Sequence, residues 1–487
     1  MAQCGRAGTE QAGHGELVRS RTAASAGASR TGRLEPSGKK CYSTDMTIEP
    51  VQYRISGHNA ATVARSIERG VRLGHLQPGD AVPSVRALAE RLSLSPTTVA
   101  AAYRDLRQRG TLIAHDRSRT VIAHRRDLAT RLAPEIPDGA VDLASGNPDP
   151  ALLPDLGPAL ASVGPVHRLY GDDPAVERLL DLARQGFAAD GIPAEHLAVV
   201  GGGLDGIERV LEVHCRLGDH IAIEDPSYIG TLDLVRTLGL IPVPVAIDDE
   251  GPEVDALTTA LDQGVTAVLL VPRAQNPTGA ALSRERAAAL RSLLADHPEV
   301  LIVEDDHASF ISGAPHHQLI GDRPRWTVVR SVAKSLGPDL RVAVLSGDDD
   351  TIARVAGRQR LGTGWVSHLL QHLTATVWSS SASDGTLEHA TQTYAARRSA
   401  VLDAFRCRDI TATGTSGFNV WVPVAEEVPV VQGMAARGWA VQAGEPFRLD
   451  APPGLRITVA GLPVERAEDL AVDLAEVLDQ RLGTRRG

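Results

Sequence analysis

SVAKSLGPDLRVAVLSG, residues 331–347, contains Lys334, the only lysine after residue 40. The other two, Lys39 and Lys40, lie in a polar N-terminal stretch, and arginine carries the remaining strongly basic positions. An arginine-biased composition, of the kind GC-rich coding produces, could leave one surface lysine by chance. A chemical demand could also retain one. Only an amine can shed its proton and condense with a carbonyl group, whereas a guanidinium stays charged. The neighbouring residues decide between these readings.

The stretch ends in a short apolar run, RVAVLSG, and six more such runs precede it. They are HLAVVGG (196–202), HIAIED (220–225), IPVPVAI (241–247), TAVLLVPR (266–273), EVLIVEDD (299–306) and WTVVRS (326–331). Helix-like segments such as GGLDGIERVLEVHCRLG and SRERAAALRSLLADHP lie between most of them. This alternation predicts an α/β domain with a mostly parallel sheet, whose ligands bind beyond the carboxyl ends of the strands.

Polar residues stand at those strand ends. Asn276 follows one strand in AQNPTG, a turn motif that is weak by itself. Asp305 follows EVLIV, where a carboxylate can pair with a buried cation. Ser331 and Arg341 flank Lys334 at three residues before and seven after. VVGGGLDGIERV places Gly202, Gly203 and Leu204 at a turn opening a helix, whose free N–H groups suit a phosphate. Tyr228 follows another strand in HIAIEDPSYIG. An amine for an aldehyde, a phosphate cradle with an arginine, a carboxylate for a pyridinium and an aromatic face together fit pyridoxal 5′-phosphate (PLP).

The chain has 487 residues, enough for two or three domains, with 43% apolar and 23% charged residues. It shows no apolar run long enough for a bilayer span and no secretory h-region at its start, so a cytosolic protein without membrane contact is expected. Cys4, Cys41, Cys215 and Cys407 have neither metal spacing nor a disulfide framework, so no metal is expected. Residues 1–50 read as a disordered tail, with Met46 a candidate true start. Residues 51–125 hold twelve Arg against five Asp and Glu, whereas residues 126–487 carry a net charge of −19. A small basic module before a large acidic one points to nucleic-acid contact at one end.

Within the basic module, Ala64, Ile67, Val71 and Leu73 lie near helical spacing before the turn Pro78-Gly79-Asp80. In VPSVRALAERLSL, Ser84 is placed to cap a helix whose buried stripe is Val85, Leu88, Ala89 and Leu92. SPTTVAAAYRDLRQRG starts a third helix with Ser95 as cap and Pro96 at the first helical position, and Gly110 ends it. TLIAHDRSRTVIA folds into two strands around His115–Arg119. The pattern is a winged helix-turn-helix. Thr97 and Thr98 are placed to reach bases or phosphates of double-stranded operator DNA, and Arg86, Arg117 and Arg119 to neutralise phosphates.

Residues 58–124 resemble the GntR family of bacterial regulators through the proline, Ser-x-Arg, Leu-Ala, Ser-x-x-Thr-Val and Ala-Tyr pattern of VPSVRALAERLSLSPTTVAAAYRDL. Pro96 stands where that family often has arginine. After a charged, proline-punctuated linker (126–139), residues 140–487 resemble the fold-type I aminotransferase domain. The joined architecture is similar to the MocR subfamily of GntR regulators. The resemblance implies that Lys334 forms the internal aldimine with PLP and that Arg341 and Ser331 hold its phosphate. It further implies that Asp305 pairs with the pyridine nitrogen, Asn276 bonds the ring hydroxyl and Tyr228 stacks on the ring. Tyr170 would reach the cofactor phosphate of the partner in a homodimer, and Arg456 would clamp a substrate or effector carboxylate. The family usually has tyrosine at the position of His307, and hydroxyl or Gln side chains in the phosphate loop where this chain has Gly202, Gly203 and Leu204. These departures point to a sensor of PLP or an amine. The alternative is a working aminotransferase with an accessory DNA-binding module.

Overall fold

The structure is a computed structural model that describes residues 53–108, 111–114, 119–122, 136–164 and 166–484. The expected tail, the wing tip with Arg117, Gly110 and residues 126–135 of the linker lie outside the described residues.

The basic module folds as three helices, α1 (Ala60–Arg72), α2 (Val85–Leu92) and α3 (Pro96–Gln108), and an antiparallel pair, β1 (Leu112–Ala114) and β2 (Thr120–Ile122). Each helix begins where a short polar side chain satisfies free N–H groups. Asn59 accepts from Thr62 N while Thr62 Oγ1 accepts from Asn59 N, a reciprocal box. Ser84 Oγ accepts from Ala87 N, and Ser95 Oγ from Thr98 N. Val63, Ile67, Leu88, Val99, Tyr103, Leu106 and Ile122 form one apolar core. Leu73, read near helical spacing with Ala64, Ile67 and Val71, is 54% exposed. It caps the C-terminus of α1, past the last full turn, and leaves the face that Ala64 and Ile67 share.

The large module begins with β3 (Val141–Leu143), α4 (Gly157–Ser162) and α5 (Glu177–Ala189). An eight-stranded sheet follows, with strand order β4-β11-β10-β9-β8-β5-β6-β7. Its members are β4 (Leu197–Val200), β5 (His220–Asp225), β6 (Ile241–Asp248), β7 (Gly251–Pro252), β8 (Ala267–Leu270), β9 (Leu301–Asp306), β10 (Trp326–Ser331) and β11 (Ala343–Gly347). The strands β10, β9, β8, β5 and β6 pair in parallel, and β11 runs against both its neighbours. All seven apolar runs read from the sequence are strands of this sheet.

Helices cover both faces, which is why those runs are apolar throughout rather than alternating. Ile302, Val328 and Val344 join the core beneath α5, α8 (Val254–Asp262) and α9 (Arg284–Ala295). Val303, Val329 and Leu345 join the opposite core, with α6 (Gly203–His214), α7 (Ile229–Thr237) and α10 (Asp349–Arg360). Burying each such side chain contributes about 1.5–3 kcal/mol. The helices α11 (His368–Ser383) and α12 (Thr386–Arg406) lead to a second sheet, ordered β12-β14-β13-β3, which the sequence reading did not anticipate. It comprises β12 (Asn419–Pro423), β13 (Trp439–Ala443), β14 (Gly454–Thr458) and the returning β3. Its core is shared with α12, α13 (Glu427–Ala435) and α14 (Ala467–Thr484). Among the described residues no helix is long and apolar enough to cross a membrane.

Candidate functional site

The parallel strands deliver their C-terminal ends to one edge of the large sheet. Gly203 opens α6 just after β4, Tyr228 follows β5, Asn276 follows β8, Asp305 ends β9, and Lys334 follows β10. They converge on a pocket of about 290 Å3 that His307 and Arg456 also line. Leu204, Ser331 and Arg341 complete the set predicted from the sequence that borders this pocket. Gly202, the residue before pocket-lining Gly203, and Tyr170 are absent from the lining. Tyr170 is 94% exposed, its ring 5.6 Å from that of Trp365.

At one end, α6 begins without a side-chain cap, leaving its first N–H groups open. Arg341 adopts a left-handed backbone (φ 49°) and donates from Nη2 to Gly201 O at 3.1 Å. Gly202 has φ 119°, and a Cβ there would stand 2.7 Å from Arg341 Nη2. Only glycine permits that approach.

Lys334 Nζ donates to Gly146 O at 2.7 Å. Burial, reinforced by the nearby Arg456 charge, lowers its pKa to about 8, so a substantial neutral fraction exists near neutrality. Arg456, on β14, is itself buried. Its Nη1 donates to Asn276 Oδ1 at 3.2 Å, Nη2 donates to Ala144 O, and its guanidinium sits 4.8 Å from the Phe447 ring centre. Arg456 Nε is buried without a partner, and burial lowers this arginine to about 10.

Two consecutive aspartates end β9. Desolvation, and then the charge of Asp306, push Asp305 up to about 7, and Asp305 Oδ1 is buried without a partner. Asp306 is held well below the usual carboxylate range, because Arg330 and Arg273 outweigh its burial. Arg273 donates to it from Nε at 2.8 Å and Arg330 from Nε at 2.8 Å, and both guanidiniums also reach Asp190 Oδ2. Burial, and then the charge of Lys334, lower His307 to about 4, leaving a neutral imidazole.

These residues fit PLP. The unpartnered Asp305 oxygen lacks the cation that a protonated ring nitrogen provides, the uncapped start of α6 beside Arg341 suits a phosphate, and Lys334 is the available amine.

Several pocket neighbours escaped the sequence reading, among them Gly146, Gln442 and Phe447, which lie far along the chain from Lys334. The glycine, asparagine and proline of ASGNPDP do signal a turn at Gly146. Nothing comparable marks Phe447. It is placed by Asp225, whose carboxylate accepts from Leu449 N, Asp450 N and Ala451 N at 2.8, 2.6 and 2.7 Å, and by Ser227 N donating to Phe447 O at 2.8 Å.

In the basic module, Arg86, Ser95, Thr97 and Arg119 are exposed and Thr98 is half-buried.

Comparison with known proteins agrees with this division. Residues 59–122 match the family described as bacterial regulatory proteins, gntR family, and residues 141–474 match aminotransferase class I and II. The vitamin B6 salvage pathway transcriptional repressor PtsJ of Salmonella typhimurium is 36% identical, over 88% of this chain and 100% of its own length. The HTH-type transcriptional regulator TauR of Rhodobacter capsulatus is 29% identical, over 72% of this chain and 81% of its own. Among solved structures, the α-aminoadipate aminotransferase LysN of Thermus thermophilus superposes with TM-score 0.65 at 22% identity, covering 74% of this chain and 98% of that one, and shares the fold. The chain belongs to the MocR subfamily of GntR transcriptional regulators, in which a gntR-type DNA-binding domain is joined to a PLP-binding, class I and II aminotransferase domain.

Proposed function

We propose that the large domain serves as a sensor of PLP, or of an amino compound reacting with it, and that occupancy of its pocket changes how the helix-turn-helix domain binds an operator. The observation that carries this is the convergence of Lys334, Asp305, Arg341 and Gly203 on one pocket. When bound, PLP supplies an aldehyde open to amines and a ring that withdraws electrons. Lys334 Nζ would attach it, and Asp305 would keep the ring nitrogen protonated. Arg341, Ser331 and the first N–H groups of α6 would hold the phosphate. Asn276 and the neutral His307 would face the ring hydroxyl, and Tyr228 the ring. The name of the PtsJ relative supports vitamin B6 as the signal.

Sensing suits the site better than rapid turnover. Arg456, expected to clamp a carboxylate, already donates to Asn276 and Ala144. An incoming carboxylate must displace those contacts, and that difference in contacts is what a ligand needs to favour one conformation over another. The competing aminotransferase reading rests on the completeness of the Lys334, Asp305 and Asn276 set.

A cytoplasmic homodimer fits this role. Leu160, Leu169, Tyr170, Leu361 and Leu369 are each more than half exposed, apolar side chains that a partner subunit would cover. Tyr170 would then reach the partner's pocket. Arg86, Ser95, Thr97, Thr98, Arg117 and Arg119 are the proposed DNA contacts.

The test is specific binding of the full chain to DNA from its own upstream region, at fixed salt, with and without PLP. A PLP-dependent change in specific affinity is expected. Sequence-blind binding, together with rapid amino-group transfer over many turnovers, would favour the enzyme instead.

A further inference from the structure

We propose that the base-reading face of α3 selects thymine, through its 5-methyl group, rather than guanine. The inference rests on the DNA-binding reading of this module and concerns which edge it reads.

Val99, Ala102, Tyr103 and Leu106 turn inward, each at most 1% exposed. Pro96 and Thr97 are exposed, and Ala100, Ala101 and Arg104 continue the outward face from Thr97 at spacings of three, four and seven. In helix-turn-helix docking, the first residues of the second helix meet base edges. The commonest specific contact there is an arginine or lysine forked onto guanine, and adenine is read by asparagine or glutamine. The segment from Ser95 to Tyr103 contains none of these side chains; Arg104, two turns along, is the first.

The polar atoms available near the start of α3 are three hydroxyls, and they are tied together. Ser95 Oγ lies 2.7 Å from Thr97 Oγ1 and 2.7 Å from Thr98 Oγ1, and it accepts from Thr98 N at 3.1 Å. A serine hydroxyl has one proton and two lone pairs. One lone pair serves the amide, so the proton and the other lone pair serve the two threonines. Two of the three hydroxyl protons are therefore used inside the knot. With Oγ1 of exposed Thr97 engaged by Ser95 Oγ, its γ-methyl is the apolar group that side chain has left to offer, next in sequence to exposed Pro96 and one turn before half-buried Ala100.

In the major groove, thymine alone among the four bases presents a methyl. Arg86, Arg104 and Arg119 are exposed and suit phosphates, which position the helix without reading sequence.

The full chain is used to enrich its site from a random duplex library at fixed salt, and each thymine in that site is then replaced by uracil. At the positions α3 contacts, the replacement weakens binding about fourfold per methyl. Thr97→Val keeps the preference for thymine over uracil, whereas Thr97→Ser, which retains the hydroxyl, reduces it towards one. Arg104→Ala weakens thymine and uracil duplexes alike and lowers the salt slope by about one. Uracil that is neutral throughout an enriched site, or a preference retained in Thr97→Ser and lost in Thr97→Val, overturns the inference alone. Enrichment of no sequence overturns it together with the DNA-binding reading.

Discussion

Asp305 and Asp306 are consecutive on β9, and the protein drives their ionisation in opposite directions. Alternation along a strand sends their side chains to different surroundings. Asp305 reaches the pocket, where burial raises it to about 7, while Asp306 meets two arginines that keep it charged.

The Asp306 side is structural. Arg273, Arg330 and Asp306 are each under 10% exposed, so removing the shared anion strands two buried cations. Asp306→Ala is expected to cost about 3–5 kcal/mol in a denaturant melt. A loss below about 1 kcal/mol would mean that water or Asp190 alone satisfies both guanidiniums.

Asp305 should show itself in the pH dependence of the cofactor-free protein. Its folded pKa lies above its ordinary value, so between about pH 4 and 7 the folded state binds more protons than the unfolded state. This residue's contribution to stability therefore falls as pH rises through that window. Asp305→Asn should remove the fall, which amounts to a few kcal/mol at most, and should weaken PLP binding. Identical pH–stability curves for the two proteins would show that Asp305 is not desolvated.

Capture of PLP by Lys334 depends on its neutral amine. The attachment rate, read after borohydride trapping, should rise about tenfold per pH unit below pH 8 and level off above it. Arg456→Met should move that midpoint upward, because one of the two causes of the lowered pKa is gone. Lys334→Ala should trap nothing. Covalent cofactor in Lys334→Ala would refute the assignment of the amine.

Gly202→Ala forces a side chain into a left-handed backbone and against Arg341 Nη2. PLP affinity, followed by absorbance titration, should fall by roughly 5- to 150-fold, as expected for about 1–3 kcal/mol of strain. The helix-turn-helix domain should still bind DNA. Unchanged PLP affinity would show that this turn does not carry the phosphate.

Much of the fold was legible because a doubly covered sheet writes itself as uninterrupted apolar runs. The seven long strands, from Leu197–Val200 to Ala343–Gly347, were all visible for that reason. The smaller sheet was not. β3 pairs with β13 nearly 300 residues later, and no local period announces such a pairing. At the site, Lys334, Asp305, Asn276 and Tyr228 stood out because each stands at or just after the carboxyl end of a readable strand, where open α/β sheets bind ligands.

What the sequence determined by itself was therefore local: which segments form the strands of the large sheet and the three helices of the basic module, where Ser84 and Ser95 cap those helices, and which chemical groups stand at the strand ends. Only the tertiary structure decided which of two adjacent aspartates is pushed towards the neutral acid and which stays charged. It alone brought Gly146 O to the Lys334 amine from 188 residues away, and laid Phe447 against Arg456. The reason is physical. A pKa and a hydrogen bond depend on distance and burial, and distance along the chain carries neither.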